Sequence, residues 1–281
     1  MPKTIYVTGL TGFIGSNLLS HLLKNFDQVI NFTRDENIQI ISDKTLKEIK
    51  FNNQFVADNP SNFLINLATL YQPYPSTFID LEKLVEANIL FPARVVNYFA
   101  AVKNFKILNA VSYHQLLDFS AQNIYSLSKE LFKKFIDNQK FEVLNIYIFD
   151  TFGNGDSRNK VTDIFIKNIL LGQSITIPKN EININLSDSE SVSNSLMKGL
   201  SLPPGSYSLM SPDTVSLEYL ALKIMDLAKK EVELIKKNIG KNYFNDIKKF
   251  PTNIYHSHAN SSLDKTLKMR IEEIQESLNA L

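Results

Sequence analysis

The sequence predicts an α/β protein, a doubly wound parallel sheet followed by a smaller α+β lobe. Three observations carry that expectation. Short apolar strands alternate with helical patterns through the first half of the chain. A turn with glycines at 9, 12 and 15 joins the first strand to the first helix. After about Asp150 the alternation loosens into turn-rich and amphipathic segments. Strand–helix alternation of this kind favours parallel pairing with helices on both faces. Right-handed crossovers then bring the carboxyl ends of the strands to one edge, where ligands bind in such folds.

Taken in order, TIYVTG reads as a buried strand, and FIGSNLLSHLLKNF places Ile14, Leu18 and Leu22 at helical spacing. QVINFTR is a second strand and IQIIS a third. NFLINLAT, FKILNAVS and EVLNIYIFD follow as the fourth, fifth and sixth. Helical stretches from Ile79 to Val102 and from Ile124 to Asn138 separate these last three. Beyond them FGNGDSRNK is a polar, turn-rich loop. VTDIFIKNILLG is a helix ending at Gly172, SITIP a short strand, and LPPGSYSL a turn and strand. SLEYLALKIMDLAKK and SSLDKTLKMRIEEIQESL are amphipathic helices. The expected organisation is a sheet domain over 1–152, which later segments can rejoin, and a smaller lobe over 153–281.

Composition narrows the function classes. The chain has 281 residues, 44% of them apolar and 21% charged, enough for a substantial core. A formal net charge of +1 gives no general bias toward nucleic acid or anionic membrane. The absence of cysteine removes disulfides, thiolate metal sites and cysteine nucleophiles. His256 and His258 stand at i, i+2 with no acidic or histidine partner nearby in sequence. They read as a polar loop or strand end, and no metal is expected. There is no signal-peptide pattern, and no apolar run reaches the ~18 residues that span a bilayer. A cytoplasmic location is the expectation.

The glycine turn sits directly after a strand and directly before a helix. That context turns a common motif into a phosphate site. Gly9 permits the tight turn, Gly12 lets backbone approach a pyrophosphate, and Gly15 allows close helix packing. Thr11, Phe13 and Ile14 complete the turn, where the helix supplies N–H groups and the positive end of its dipole. A tight turn with no ligand is the competing reading. The second strand ends NFTRDE, where an acid for a ribose 2′-hydroxyl is usual in NAD binders. Arg34 at this place suits a 2′-phosphate and favours NADP (NADPH) over NAD. The other possibility is that Arg34 is a surface charge and Asp35 turns inward.

The segment NAVSYHQLLDFSAQNIYSLSK sets Ser112 thirteen residues before Tyr125, with Lys129 four residues further on. Alone, a Tyr-x-x-x-Lys pair is usually a solvated helix face. Combined with TGLTGFIG, it resembles the extended branch of the short-chain dehydrogenase/reductase superfamily, whose nucleotide domain is a Rossmann-type sheet. NLAT (Asn66–Thr69), EANILFPARVV with Asn88, FKILNAVS and FDTFGNGD resemble further segments of that branch. The likeness is strong to about residue 170 and thinner beyond.

The resemblance implies Ser112, Tyr125 and Lys129 as catalytic residues. It implies Gly9, Thr11, Gly12, Phe13, Ile14, Gly15, Arg34, Asp43, Leu67, Ala68, Asn88, Tyr125 and Lys129 at the cofactor. It implies Tyr71, Ser112, Tyr113, His114, Phe152, Arg158 and Lys160 at a nucleotide-sugar substrate. Physically, residues i and i+4 share a helix face, so Lys129 lies one turn from Tyr125. A nearby ammonium favours the phenolate over a phenol of ordinary pKa near ~10.

Tyr113 and His114 stand where a 4,6-dehydratase of this branch carries Asp-Glu, so the elimination lacks its acid and base. The segments NAVSYHQLL, NILFPARV and INLATLYQPY look most like those of the CDP-4-keto-6-deoxyhexose reductases of the paratose and abequose synthase group. That likeness implies NADPH-dependent ketoreduction in a surface-polysaccharide pathway. A 4-epimerase with tightly held NAD and a non-catalytic NADP-binding regulator are the alternatives. The later lobe lacks two arginines that relatives use toward the sugar nucleotide; Lys248, Lys249, Arg158 and Lys160 are the substitutes at hand. The helices over 79–102 and 124–138 are where the family forms its homodimer interface; a buried face within the monomer explains their apolar residues equally well.

Overall fold

The structure is a computed structural model. It describes residues 3–35, 37–42, 45–50, 55, 61–117, 123–239, 247, 250–255 and 261–280. The Asp43, Lys248, Lys249, His256 and His258 expectations lie outside the described residues.

The chain opens with β1 (Thr4–Thr8), α1 (Phe13–Asn25) and β2 (Gln28–Phe32), followed by β3 (Asn37–Ser42), β4 (Thr45–Lys50) and β5 (Phe63–Asn66). Helices α2 (Phe78–Val85) and α3 (Phe91–Asn97) lead to β6 (Lys106–Ser112), α4 (Ile124–Asp137) and β7 (Glu142–Ile148). The strands β2, β1, β5, β6 and β7 are parallel neighbours in that order. Two later strands, β12 (Gly205–Met210) and β15 (Thr252–Tyr255), extend the sheet beyond β7.

The other edge departs from a purely parallel sheet. Strand β3 runs antiparallel to β2, and β4, not anticipated from sequence, runs antiparallel to β3. Only residues 33–36 separate β2 from β3, far too few for a crossover, so the chain folds back as a hairpin.

The expected helix over 79–102 is interrupted. Thr77 caps α2 through a capping box with Asp80. A π-helical turn, Glu86–Leu90, then separates α2 from α3. Pro92 has no N–H to offer the carbonyl four residues back, and the Phe91 N–H reaches Glu86 O instead.

The chain divides into two compact units. The first comprises 1–148, 193–208 and 249–254. Its core packs Tyr6, Ile30, Leu64, Phe99, Phe105, Ile107 and Phe132 between sheet and helices. The second comprises 149–192, 209–248 and 255–281. There β8 (Asp150–Phe152), β9 (Ile175–Pro178), β11 (Leu186–Asp188) and β14 (Leu234–Lys237) pair in parallel as β8–β11 and β9–β14, and the short β10 (Asn183–Ile184) and β13 (Val215–Ser216) pair antiparallel. The core gathers residues of α5 (Val161–Leu170), α7 (Leu217–Ala228) and α8 (Ser261–Asn279) around Phe165, Ile224 and Leu267. The intervening α6 (Ser189–Gly199) has a serine-rich sequence that gave no helical signal. Asp188 starts it by accepting from both Ser191 N and Ser191 Oγ.

A row of amides crosses the first unit's sheet. Thr8, Asn66, Asn109 and Asn145 are register partners on β1, β5, β6 and β7. Thr8 Oγ1 donates to Asn66 Oδ1 at 2.7 Å. Asn66 Nδ2 donates to Asn109 Oδ1, and Asn109 Nδ2 to Asn145 Oδ1, each at 2.9 Å. Asn145 Nδ2 ends the row on Asp137 of α4. Four buried polar side chains thus satisfy one another, which makes them tolerable in an apolar sheet.

Candidate active site

The glycine turn forms where β1 ends. Gly9 has φ +78°, and a Cβ there would come within 2.8 Å of the Leu67 carbonyl. A Cβ on Gly15 would lie 2.2 Å from Gly9 O. Both positions therefore exclude any larger residue, and the turn lies flat against the end of β5 and the start of α1. Gly12 caps α1 with no side-chain hydrogen bond, and the helix has no acid in its first turn. Thr11 and Gly12 are exposed, and Phe13 and Ile14 half-buried. An exposed helix N-terminus with backbone in place of a capping side chain fits a dinucleotide's phosphates.

At the end of β2, Thr33 Oγ1 donates to Asp35 Oδ1 and Asn37 Nδ2 to Asp35 Oδ2. The Thr33 bond foremost holds the Asp35 carboxyl below the usual range. Asp35 is thereby committed to the β2–β3 turn, while its neighbour Arg34 is exposed.

The catalytic candidates gather at the carboxyl ends of β5 and β6. Asn123 caps α4 by accepting from Ser126 N, which fixes the helix start two residues before Tyr125. Tyr125 is 7% exposed, its ring edge-on to Tyr71 at 5.0 Å between centroids. Lys129, one turn later, is 5% exposed, and its Nζ donates to Ala68 O at 3.5 Å. Burial pulls this ammonium down to about 8 from the ordinary 10.5.

Asn88, in the π-helical turn, accepts from Leu70 N at 2.7 Å and donates to Leu70 O and Ser128 Oγ. Ser128 Oγ in turn donates to Tyr125 O. The Asn88 side chain therefore ties the segment after β5, which carries Ala68 and Tyr71, to the helix of Tyr125 and Lys129. A shift to π-helical geometry often marks a functional position.

Ser112 is the last residue of β6 and caps the 3-10 turn Tyr113–Leu116. Its Oγ accepts from His114 N, and its own N–H donates to Gln115 Oε1 at 2.8 Å. Gln115 Nε2 continues to Glu130 of α4 at 3.0 Å. Tyr113 and His114 are half-buried, with their rings 4.3 Å apart. Gly9, Gly15, Ala68, Tyr71, Asn88, Ser112, Tyr125 and Lys129 thus belong to one connected neighbourhood of the first unit.

The three remaining candidates lie in the second unit. Phe152 is fully buried in that unit's core. Arg158 directs Nε and Nη2 to the Asp156 carboxylate and Nη2 also to Thr151 O and Oγ1, so its guanidinium is spent within its own loop. Burial lowers the Lys160 ammonium, against the pull of Asp150. Arg270, which sequence reasoning passed over, holds this loop: it meets both oxygens of Asp163 and the carbonyl of Asp156. No sequence pattern announced that pairing, because it joins positions 107 residues apart. Among the described residues no group of three or more acidic or histidine side chains could hold a metal ion.

The sequence profile of the NAD dependent epimerase/dehydratase family matches residues 5–184, from β1 to beyond the turn-rich loop. The chain belongs to this family. It is therefore an enzyme of the NAD(P)-dependent oxidoreductase type. A CDP-abequose synthase from Yersinia pseudotuberculosis is 22% identical over 287 residues, covering 96% of this chain and 99% of that one. The Bordetella bronchiseptica enzyme WbmF, solved in complex with NADH, matches with TM-score 0.77 and 19% identity, over 99% of this chain and 93% of the other. RMD from Pseudomonas aeruginosa, complexed with NADPH, matches with TM-score 0.67 and 16% identity over 98% and 99%. At these identities the two structures bear on the fold, which agrees with the parallel sheet and glycine turn described above.

Proposed function

We propose that this enzyme uses NADPH to reduce the 4-keto group of a nucleotide-linked 4-keto-6-deoxy sugar during surface-polysaccharide (O-antigen) sugar synthesis in the cytoplasm. The observation that carries the reading is Lys129, a buried ammonium one helical turn from Tyr125 and bonded to the chain segment beside the glycine turn. An ion so desolvated destabilises the fold, and such groups cluster where chemistry needs them.

When bound, the reduced dinucleotide supplies the hydride that adds to the sugar's carbonyl carbon. Tyr125 gives its phenolic proton to the carbonyl oxygen as that oxygen gains charge. Lys129, still mostly protonated at neutral pH, stabilises the phenolate left behind. Ser112, its Oγ already accepting from His114 N, has its hydroxyl proton to offer the same carbonyl oxygen. Gly9, Gly12 and Gly15 with the first turn of α1 hold the pyrophosphate, and Leu67, Ala68 and Asn88 shape the adjoining wall. Arg34 takes the 2′-phosphate, a role supported by the commitment of Asp35 to its own turn.

The kinship with a CDP-abequose synthase supports a CDP-linked sugar. Tyr71, Tyr113 and His114 are its candidate contacts. Exposed apolar side chains on α2 and α4, among them Phe78 at 76% and Leu131 at 57%, support a homodimer through these helices.

The test is loss of NADPH absorbance against CDP-, dTDP- and GDP-4-keto-6-deoxyhexoses. Turnover with one of them, reduced at least about a hundredfold in Tyr125→Phe, is the expected result. A 4-epimerase with retained dinucleotide, consistent with the family and with the NADH held by WbmF, would show no net NADPH loss. A binding regulator would be indifferent to Tyr125→Phe.

A further inference from the structure

We infer that Gln115 and Glu130 are a positioning pair that fixes Ser112 against the catalytic helix. The inference rests on the proton-transfer reading of Ser112 and Tyr125 and adds two residues to it. Ser112 ends a strand and Tyr125 begins a helix thirteen positions later, so their mutual placement needs something that spans the two elements. The Gln115 carboxamide does so with both of its ends. Its Oε1 accepts the Ser112 N–H at 2.8 Å, and its Nε2 donates to Glu130 Oε2 at 3.0 Å. Glu130 is the residue next to Lys129 on α4.

Three features make this more than a turn cap. Gln115 is buried, so an unmade bond at either end would leave a polar group stranded. The bond to a carboxylate is charge-assisted, and it polarises the amide toward a stronger bond at Oε1. The bonded atom is the backbone nitrogen of Ser112 itself, so a shift of Gln115 moves the residue whose hydroxyl meets the substrate oxygen. Simple capping of the 3-10 turn would need only the Ser112–Gln115 half of the chain.

The test uses Gln115→Leu, Gln115→Glu and the double variant Gln115→Glu with Glu130→Gln, each assayed with NADPH and the CDP-4-keto-6-deoxyhexose that wild type turns over. Gln115→Glu sets two carboxylates in contact. The double variant rebuilds the chain with the donor on position 130. The single variants should lose about tenfold or more in kcat, because small misplacements of reacting groups cost at least that much. KM for NADPH should change little, any fall in the thermal midpoint should leave the single variants folded at the assay temperature, and the double variant should recover most of the lost kcat.

Single variants within twofold of wild type in kcat, while Tyr125→Phe is inactive, would overturn the pair and leave the catalytic reading standing. So would kcat losses that merely follow the folded fraction, or a double variant no better than its singles. Full activity in Tyr125→Phe would overturn the catalytic reading, and the pair with it.

Discussion

Replacing Lys129 by Met should make the ligand-free protein more stable while abolishing turnover. The ammonium is pulled from 10.5 to about 8 by burial, which corresponds to about 3 kcal/mol of unfavourable free energy for the charged form. Methionine fills nearly the same volume without a charge. It loses the long bond to Ala68 O, worth about 1 kcal/mol. The net expectation is a gain of about 2 kcal/mol at pH 7.

The pH dependence has a definite sign. Below about 8 both native and unfolded chains carry the proton on residue 129, and the penalty is fully present. Between about 8 and 10.5 the unfolded chain keeps the proton that the native chain has lost, so wild-type stability rises with pH through that window. Urea unfolding of both proteins without dinucleotide, at pH 7 and pH 10, measures the effect. The variant should be the more stable at pH 7, and the gap should close by pH 10. A variant less stable than wild type at pH 7, or a gap independent of pH, would refute the view of Lys129 as a strained, uncompensated charge.

Gly9→Ala should abolish dinucleotide binding and lower stability by about 2 kcal/mol or more, since a Cβ there meets the Leu67 carbonyl at 2.8 Å in a left-handed conformation; calorimetric titration and thermal unfolding check the two parts. Arg34→Ala should raise KM for NADPH about tenfold and leave KM for NADH nearly unchanged, in steady-state kinetics with both cofactors. Arg270→Met should cost about 3 kcal/mol by stranding buried Asp163, read as a fall in the urea midpoint.

The parts of the fold legible in sequence were those with a local cause. The strand–glycine–helix start, the capped helix of Tyr125 and the apolar strands follow from patterns within a dozen residues. Strand β4, and with it the antiparallel edge, was hidden because TLKEIK is mostly exposed and has no core-facing alternation to reveal a strand. Helix α6 was hidden because serines and an asparagine favour turns, and the compensation came from one aspartate cap. At the site, the spacing of Ser112, Tyr125 and Lys129 was readable, whereas Gln115 and Glu130 look like ordinary surface residues until β6 and α4 are packed. The amide row had a faint signature, one Asn inside each of three apolar strands, which acquires meaning only when the register aligns them.

The most direct test of the account is transfer of label to the sugar from NADPH carrying deuterium at both positions of nicotinamide C4. With a CDP-4-keto-6-deoxyhexose, one deuterium should appear at sugar C4 for each NADPH oxidised. Product formed without NADPH consumption, or carrying no deuterium at sugar C4, would contradict it.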